Sequence, residues 1–257
     1  MDNNIKTKVS IVIITRNRAI FIIKAIQSVL DQTLYNWELL IGDDDSKDDT
    51  EKIVREFSNK DNRIKYFKNS PALGISKNRN KALSLVTGKY ISILDSDDSW
   101  IDKEKIQTQF SFLENNPDYV LIGSNIKVID EKNNFIRNTD FSTEDADIRK
   151  KILITNQIPH SSVMYRKDIA EKVGRYNENL SCDEDLDLFL RLGLLGKMKN
   201  LTEITTSYTK HSKGFSQQQK ISMAWNHFII ILRNFGKYPN WFIAIVWAKF
   251  RILKNLF

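Results

Sequence analysis

Short apolar runs alternate with amphipathic stretches over the first hundred residues of the chain. The apolar runs have the length of buried strands, and the stretches between them repeat apolar positions at helical spacing. The pattern predicts strands at Val9–Ile14, Leu39–Ile41, Ile64–Phe67 and Tyr90–Leu94, and helices at Ile20–Leu30, Thr50–Phe57 and Ile75–Val86. Because strict alternation is typical of parallel strands joined by helical crossovers, we expect an α/β domain.

The pattern becomes less regular after the last of these strands. Ser99 is expected to cap a helix over Ile101–Leu113, since a serine oxygen can accept a bond from a free N–H of the first turn. The segment Asn133–Asp147 is polar and aperiodic, which predicts a surface loop. Further strands are predicted at Tyr119–Ile122 and Lys127–Ile129, and further helices near Asp168–Val173 and from Asp183 onward.

Polar residues follow three of the predicted strands, at the edge where open parallel sheets bind their ligands. These loops are Thr15-Arg16-Asn17, Gly42-Asp43-Asp44-Asp45-Ser46 and Asp95-Ser96-Asp97-Asp98-Ser99. Adjacent carboxylates repel one another unless a cation offsets their charge. Because Mg²⁺ and Mn²⁺ bind one or two carboxylates together with substrate phosphates, the third loop predicts a divalent cation site. A solvated acidic turn is the alternative.

Several other kinds of site are excluded by spacing. Counted from Asp95, the sixth and twelfth positions are Trp100 and Ile106, where a calcium-binding EF-hand requires Gly and Glu. The sequence has no phosphate-binding glycine loop ending in Gly-Lys-Ser/Thr, no Gly-x-Gly-x-x-Gly, no His-Glu-x-x-His and no Gly-x-Ser-x-Gly. Nothing therefore supports a kinase, dehydrogenase, zinc protease or serine hydrolase.

Composition points to one main domain in a reducing compartment. With 257 residues and 41% hydrophobic content, the chain can bury one sizeable core. Cys182 is the single cysteine, so no intrachain disulfide can form. The polar N-terminus lacks the apolar core of a secretory signal, and the longest apolar run, Trp241–Ala248, is shorter than the roughly 20 residues that span a bilayer. We expect a cytoplasmic protein.

The net charge of +7 is unevenly distributed, because residues 191–257 contain 11 basic side chains and 1 acidic one. In the last 37 residues, aromatic and basic side chains alternate without any acid: Trp225, Phe228, Phe235, Tyr238, Trp241, Phe242, Trp247, Phe250 and Phe257 with Arg233, Lys237, Lys249, Arg251 and Lys254. Such a segment can settle on an anionic membrane surface. A helical pair packed on the domain is the alternative. Residues 1–190 are net acidic, which argues against nucleic acid as a partner.

An ordered set of motifs over residues 8–215 resembles the inverting family 2 glycosyltransferases of the GT-A fold. The set begins with the Val9–Arg18, Ser28–Thr33 and Trp37–Ser46 segments and continues with Gly74 to Arg79-Asn80, the Asp95-Ser96-Asp97-Asp98 box and the Glu184-Asp185 pair. The resemblance implies a mixed, mostly parallel sheet flanked by helices, with residues 1–215 as the catalytic domain and 216–257 as a helical C-terminal extension. It also implies sugar transfer from a nucleotide diphosphate with the help of Mn²⁺ or Mg²⁺.

The resemblance assigns a role to each matching residue. Thr15 and Asn17 would line the nucleoside pocket, and Asp44 would accept a bond from the base, which favours UDP. Arg79 would bind near the pyrophosphate, Asp95 would face the ribose or the metal, and Asp98 would lie close to the sugar or the metal shell. Asp97 would ligate the metal together with His211, which follows Lys210 where the family often has arginine. Asp185 would be the general base, with Glu184 as the second candidate.

Each of these assignments has a plain structural alternative. The carboxylates of Asp44 and Asp185 are also typical of turns and helix N-termini, and Arg79 and His211 of solvated surfaces. His160 is expected either at the acceptor or as a buried structural histidine, and Trp100 either against a sugar or, more often, as a packing anchor. Family habit favours a lipid-linked glycan acceptor in bacterial surface polysaccharide or lipopolysaccharide synthesis. A catalytically inactive binding or scaffold protein remains the alternative function.

Overall fold

The computed structural model describes residues 7–180, 182–212 and 220–256. Within these ranges, nine strands form one mixed sheet in the order β3-β2-β1-β4-β8-β6-β9-β5, and β7 pairs with β6. The strands are β1 Val9–Thr15, β2 Trp37–Asp43, β3 Ile64–Lys68, β4 Tyr90–Ile93, β5 Ser99–Trp100, β6 Tyr119–Asp130, β7 Phe135–Asn138, β8 Met164–Arg166 and β9 Lys197–Lys210. The helices are α1 Ala19–Leu30, α2 Thr50–Ser58, α3 Ile75–Leu85, α4 Lys105–Asn115, α5 Asp145–Lys151, α6 Lys167–Lys172, α7 Glu184–Gly193, α8 Lys220–Arg233 and α9 Trp241–Leu256.

The first half of the sheet matches the alternation predicted from the sequence. Strands β1 to β4 pair in parallel, and α1, α2 and α3 connect them in turn. Side chains along β1 alternate between two hydrophobic clusters, with Val12 in one and Ile11 and Ile13 in the other. Because successive side chains of a strand point to opposite faces, the sheet is buried on both sides. This placement explains why its strands are almost wholly apolar.

The helix predicted over Ile101–Leu113 was wrong at its start. Ser99 and Trp100 form β5, which pairs antiparallel with Ser207 and Thr206 of β9, and the helix begins only at Lys105. Tertiary pairing therefore overrides the local capping signal of Ser99. The Trp100 side chain is buried and its Nε1 donates to the Ser161 carbonyl oxygen at 2.8 Å. Trp100 is a packing anchor, as the structural alternative had it.

The second half of the sheet departs further from the sequence prediction. The two strands expected at Tyr119–Ile122 and Lys127–Ile129 are one twelve-residue strand, β6, and its long parallel partner β9 was not predicted. The expected loop Asn133–Asp147 contains β7 and the start of α5. Polar residues between β6 and β9 interrupt the apolar pattern expected of buried strands. They are buried because they bond each other, as Ser124 Oγ and Thr205 Oγ1 do at 2.6 Å.

Helices α8 and α9 pack against α7. Ile230, Ile231, Ala244 and Ala248 belong to the same hydrophobic cluster as the apolar residues of α7. Tyr238 lies in the connection between α8 and α9, and its hydroxyl donates to the Leu190 carbonyl oxygen of α7 at 2.7 Å. The expected helical pair is thus present and packed. The predicted boundary between residues 215 and 216 and the side chain of Phe257 lie outside the described residues.

No helix within the described ranges is both long enough and apolar enough to span a bilayer.

Candidate active site

The loops that follow β1 and β2 are joined by hydrogen bonds at the carboxyl edge of the sheet. The backbone N–H of Asp44 donates to the Thr15 carbonyl oxygen at 2.8 Å, and that of Asn17 donates to Ser46 Oγ at 2.9 Å. The Asn17 side chain in turn accepts the N–H of Lys47 at 2.8 Å. The structure therefore brings the predicted nucleoside residues Thr15, Asn17 and Asp44 together.

Thr15 and Asp44 differ in the hydrogen bonds they leave open. Thr15 Oγ1 is buried and has no partner among the described residues, so it remains able to bond a ligand. The carboxylate of Asp44 accepts the backbone N–H groups of Leu73 and Gly74 at 2.7 and 2.8 Å, and the amide of Asn69 at 3.0 Å. Asp44 thus holds the turn before α3, which is the structural alternative, and its predicted contact with a base stays a prediction.

Arg79 on α3 connects the loop after β4 to the start of α7. Its Nη2 donates to Asp95 Oδ1 at 2.8 Å, and its Nη1 donates to Glu184 Oε1. The guanidinium is buried and lies 5.4 Å from the centre of the Tyr176 ring. Burial favours the neutral form, but the charges of Asp95 and Glu184 outweigh it and raise the pKa of Arg79 further. Arg79 is a fixed cation at the centre of the site and not a solvated helix residue.

His160 and Tyr176 complete this buried network. His160 Nδ1 lies 3.3 Å from both oxygens of Asp95, and its Nε2 lies 2.9 Å from the Tyr176 hydroxyl. Burial alone raises the pKa of Asp95, but the charges of His160 and Arg79 outweigh it and hold that pKa well below its usual value. Asp95 therefore stays ionised. Tyr176 carries no sequence signal of its own and was missed.

Asp97 and His211 form a pair suited to a divalent cation. His211 Nε2 lies 2.9 Å from Asp97 Oδ2, and Arg18 Nε lies 3.7 Å from the same oxygen. The other ring nitrogen of His211 contacts Glu131 Oε1 at 2.9 Å, an orienting contact of the kind that metal-binding histidines make. Burial and the neighbouring charge of Asp95 raise the pKa of Asp97, so its ionised form lacks an adequate counter-charge.

This pair fits Mn²⁺ or Mg²⁺ as the resemblance implies. Such ions commonly take one or two protein ligands and fill the remaining positions with water and substrate phosphates. Among the residues the structure describes, no group of three or more His, Cys, Asp or Glu side chains could hold a metal ion. A complete protein cage is absent from that part of the chain, so Asp97 and His211 would need the diphosphate of a donor to complete the coordination.

Asp98 ties the loop after β4 to two neighbouring chain segments by hydrogen bonds. One of its carboxylate oxygens accepts the Thr209 N–H at 2.8 Å and the other accepts the Ser161 hydroxyl. Burial and the charges of Asp97 and Asp95 raise the pKa of Asp98 well above its usual value. Both oxygens thus have protein partners, and the predicted position of Asp98 beside the sugar stays a prediction.

The acidic residues at the start of α7 differ in their surroundings. Asp185 Oδ2 accepts the Asn156 amide at 3.2 Å, while Asp187 is buried against Arg191, whose Nε donates to it at 2.8 Å. Burial and the adjacent Glu184 raise the pKa of Asp185, against the charges of His160 and Arg79. A carboxylate with a raised pKa can accept a proton near neutral pH. Asn156, which orients it, was also missed.

His227 is a structural residue of the C-terminal helices. It is buried on α8, and its Nε2 donates to the Leu153 carbonyl oxygen at 2.8 Å. Burial lowers its pKa, which keeps the ring neutral. The remaining predicted site residues lie at the end of β1, on the loops after β1, β2, β4 and β9, on α3, and at the first turn of α7.

The arrangement separates two chemical functions. On one side, an unpartnered hydroxyl, a buried arginine and a carboxylate–imidazole pair are suited to a nucleoside diphosphate. On the other side, Asp185 is suited to accepting a proton. Arg79 spans the two sides through its bonds to Asp95 and Glu184.

The chain is similar to known glycosyltransferases. The family description Glycosyl transferase family 2 matches residues 10–174. An uncharacterised glycosyltransferase of Methanocaldococcus jannaschii is 34% identical over 191 residues, which cover 72% of this chain and 64% of the relative. The Escherichia coli enzyme UDP-Glc:alpha-D-GlcNAc-diphosphoundecaprenol beta-1,3-glucosyltransferase is 47% identical over 105 residues, 41% of this chain and 40% of that enzyme. The chain therefore spans less than two thirds of either relative.

A solved structure matches the fold over nearly the whole chain. The mannosyltransferase of Pyrobaculum calidifontis, in complex with GDP-Man and Mn²⁺, superposes with a TM-score of 0.71 at 17% identity, covering 95% of this chain and 69% of that one. The predicted GT-A architecture, a mixed sheet flanked by helices, is confirmed by this match.

Proposed function

The chain belongs to glycosyl transferase family 2, and on that basis we propose that it is an inverting glycosyltransferase. It moves a sugar from a nucleotide diphosphate to an acceptor hydroxyl in one displacement, with Asp185 as the general base. The observation that carries the proposal is a pair of bonds made by buried Arg79. One bond goes to Asp95 on the loop after β4, and the other goes to Glu184 at the start of α7, the helix that bears Asp185.

The donor half of the site holds the nucleotide diphosphate. The free Thr15 hydroxyl bonds the nucleoside, Asn17 shapes the pocket, and the Arg79 fork bonds diphosphate oxygens. A Mn²⁺ or Mg²⁺ ion held by Asp97 and His211 would neutralise the charge that grows on the departing diphosphate. Asp95, kept ionised by its cationic neighbours, orients Arg79 and faces the ribose side.

The acceptor half removes one proton. Asp185 takes the proton of the acceptor hydroxyl as the acceptor oxygen forms its bond to the anomeric carbon and the bond from that carbon to the diphosphate breaks. Attack from the side opposite the leaving group inverts the anomeric configuration. The raised pKa of Asp185 makes its carboxylate a stronger base than that of an ordinary aspartate. Glu184, paired with Arg79, serves as its neighbour and is the second candidate.

UDP is the preferred nucleotide in this proposal. The family resemblance assigns Asp44 to the imide N–H of uracil, and the Escherichia coli relative is named for a UDP-glucose donor. That relative is also named for a diphosphoundecaprenol-linked acceptor, which supports a lipid-linked glycan as the acceptor class. We propose surface polysaccharide or lipopolysaccharide synthesis as the setting, with residues 1–215 as the catalytic domain.

The outer face of the C-terminal helices is suited to contact with the membrane in which a lipid-linked acceptor would lie. Large apolar side chains there stay exposed, including Phe242 at 64% and Trp247 at 50%. The segment is basic and has no acid, so it matches an anionic bilayer in both hydrophobicity and charge. We propose that this face, defined by Trp225, Phe235, Phe242, Trp247 and Phe250, rests on the inner surface of the cell membrane.

A donor-hydrolysis screen tests the proposed function without knowledge of the acceptor. UDP-glucose, UDP-galactose, their N-acetyl forms and GDP-mannose are each incubated with the protein, with and without Mn²⁺, and nucleotide release is measured. We expect Mn²⁺-dependent release from at least one UDP-sugar. Tight UDP binding without release from any donor, in the presence or absence of glycan acceptors, would favour a catalytically inactive binding protein instead.

A further inference from the structure

The C-terminal helices contact both chain segments that flank the proposed general base. We infer that α8 and α9 hold the base in position, with Asn226 and Arg251 as positioning residues for Asp185. This inference rests on the proposed function and assigns the helices a role in turnover beyond packing. The two segments are residues 153–156, which precede the 3₁₀ helix His160–Ser162, and residues 182–183, which precede α7.

The first segment, residues 153–156, is linked by hydrogen bonds to the C-terminal helices and to Asp185. His227 on α8 donates to the Leu153 carbonyl oxygen at 2.8 Å, and Arg251 on α9 donates to Thr155 Oγ1 at 3.2 Å. The next residue, Asn156, donates its amide to Asp185 Oδ2 at 3.2 Å. The Asn156 side chain is fixed at its other end, because its Oδ1 accepts the Ile158 N–H at 3.0 Å. Its contact with Asp185 therefore depends on where α8 and α9 hold this segment.

The second segment sets the start of the helix that bears Asp185. Asn226 on α8 donates its amide to the Cys182 carbonyl oxygen at 3.3 Å and lies 3.1 Å from the Cys182 sulfur. Asp183 follows with a positive φ of 57°, a conformation that costs energy for a residue with a side chain and persists only when its surroundings hold it. Its carbonyl oxygen accepts the Asp187 N–H at 3.1 Å and so begins α7.

Charge links Arg251 to this segment as well. Asp183, Glu184 and Asp185 are consecutive carboxyl groups, and Asp183 Oδ2 is buried without a partner among the described residues. Burial, with the charges of Asp185 and Glu184, raises the pKa of Asp183 to about 7, and Arg251 acts in the opposite direction. Arg251 therefore lies close enough to offset repulsion beside the base. Without it, repulsion among the acids at the start of α7 would increase and would favour a displaced Asp185.

A small displacement of a catalytic group is costly, because misplacement by about 1 Å can reduce turnover about a hundredfold. Two donor residues lie away from these contacts, Asp97 on the loop after β4 and Thr15 at the end of β1, and Arg79 keeps its bond to Asp95 when the start of α7 shifts. Loss of the positioning contacts should therefore reduce kcat and leave the donor KM unchanged. A residue that served only general stability would instead reduce the folded fraction.

The test uses Arg251→Gln and Asn226→Ala, singly and combined, with Arg137→Gln as the matched control. Arg137 is exposed on β7 and makes no ion pair with the described residues. For each variant, kcat and KM are measured for donor hydrolysis, and the stoichiometry of UDP binding reports the folded fraction. Carboxyl ¹³C NMR gives the pKa of Asp183, a readout that needs no activity.

We expect the combined variant to lower kcat about tenfold, with KM within about twofold of wild type and full UDP stoichiometry. The pKa of Asp183 should rise in Arg251→Gln, and Arg251→Lys should restore most of kcat and the pKa. The inference is overturned if kcat matches that of Arg137→Gln, or if kcat falls only in step with UDP stoichiometry. If the wild type hydrolyses no donor, the proposed function fails, and an unmoved pKa of Asp183 still overturns the inference separately.

Discussion

His211 Nε2 lies 2.9 Å from Asp97 Oδ2, although 114 positions separate the two residues along the chain. Strand β9 brings His211 to the loop after β4, because its Thr209 N–H and hydroxyl bond Asp98 and the Asp97 carbonyl oxygen. Two potential ligands therefore converge by the pairing of backbone segments and not by local sequence. Their function as a metal site leads to the first prediction.

We expect Mn²⁺ to strengthen UDP binding to the wild type and Asp97→Asn or His211→Gln to remove that effect. Loss of a direct ligand should weaken metal binding by at least the roughly 10–100-fold that follows loss of an outer contact. Isothermal titration calorimetry with UDP, with and without Mn²⁺, measures this dependence. Asp140→Asn removes a charge from an exposed position and serves as the control. Equal enhancement by Mn²⁺ in Asp97→Asn and in the control would dismiss the site.

Asp185→Asn should reduce turnover about 10²–10⁴-fold and leave UDP affinity nearly intact, because a general base acts on the transition state and not on donor binding. Steady-state hydrolysis and calorimetry give the two quantities. Glu184→Gln is the informative partner variant, since Glu184 is the second candidate and also a ligand of Arg79. Retained turnover in Asp185→Asn together with loss in Glu184→Gln would transfer the role of base to Glu184.

The pH dependence of turnover should show the raised pKa of Asp185. Only the ionised carboxylate can accept a proton, so kcat rises as pH increases through that pKa. Burial and the Glu184 charge raise the pKa, and the rising limb should therefore lie at higher pH than an ordinary aspartate gives. A pH–rate profile between pH 4 and 9 checks this. A rate already maximal at the usual aspartate pKa of about 4 would contradict the assignment.

Asp183→Asn should stabilise the protein at alkaline pH. The pKa of Asp183 is about 7 when folded and near 3.8 when unfolded, so the wild type loses stability as pH rises between these values and has lost it fully above 7. Asparagine keeps the shape, tolerates the positive φ and carries no charge. We expect a gain on the order of 2–4 kcal/mol at pH 8 and almost none at pH 3.5. Equal denaturant midpoints of the two proteins at pH 8 would show that Asp183 carries no destabilising buried charge.

The exposed aromatic face of α8 and α9 should bind anionic vesicles. Trp247→Ser combined with Phe250→Ser should weaken binding to phosphatidylglycerol vesicles at least about tenfold, because each ring contributes roughly 1.5 kcal/mol or more when buried. Co-sedimentation at low and high salt measures both the apolar and the charged contribution. Phe135→Ser, an equally exposed change on β7, is the control. Undiminished binding of the double variant would remove the proposed membrane contact.

The sequence was sufficient for the first half of the sheet and for the edge at which the candidate site lies. Strands β1, β2 and β4 are buried on both faces and mostly apolar, so residues such as Ile11 and Val12 give a clear signal whichever face they occupy. The loops after these strands could then be placed at one edge by general rules of parallel sheets. Arg79 and His211 required the family resemblance as well, because nothing local marks them.

The second half could not be predicted, since its polar residues find their partners far along the chain. Thr205 of β9 is buried but bonds Ser124 of β6, a pairing that no local pattern reveals. Tyr176 reaches His160, and Asn156 reaches Asp185, across 16 and 29 positions. These residue types are usually found in loops and on surfaces, so their composition alone indicates no role.

The proposed reaction depends on a divalent cation held between the loop after β4 and an activated sugar. Diffraction from a crystal soaked with Mn²⁺ and UDP, measured near the manganese absorption edge, locates that cation. We expect an anomalous peak within coordination distance of Asp97, His211 and the diphosphate. A bound UDP with no such peak, and with Asp97 still paired only with His211 and Arg18, would contradict it.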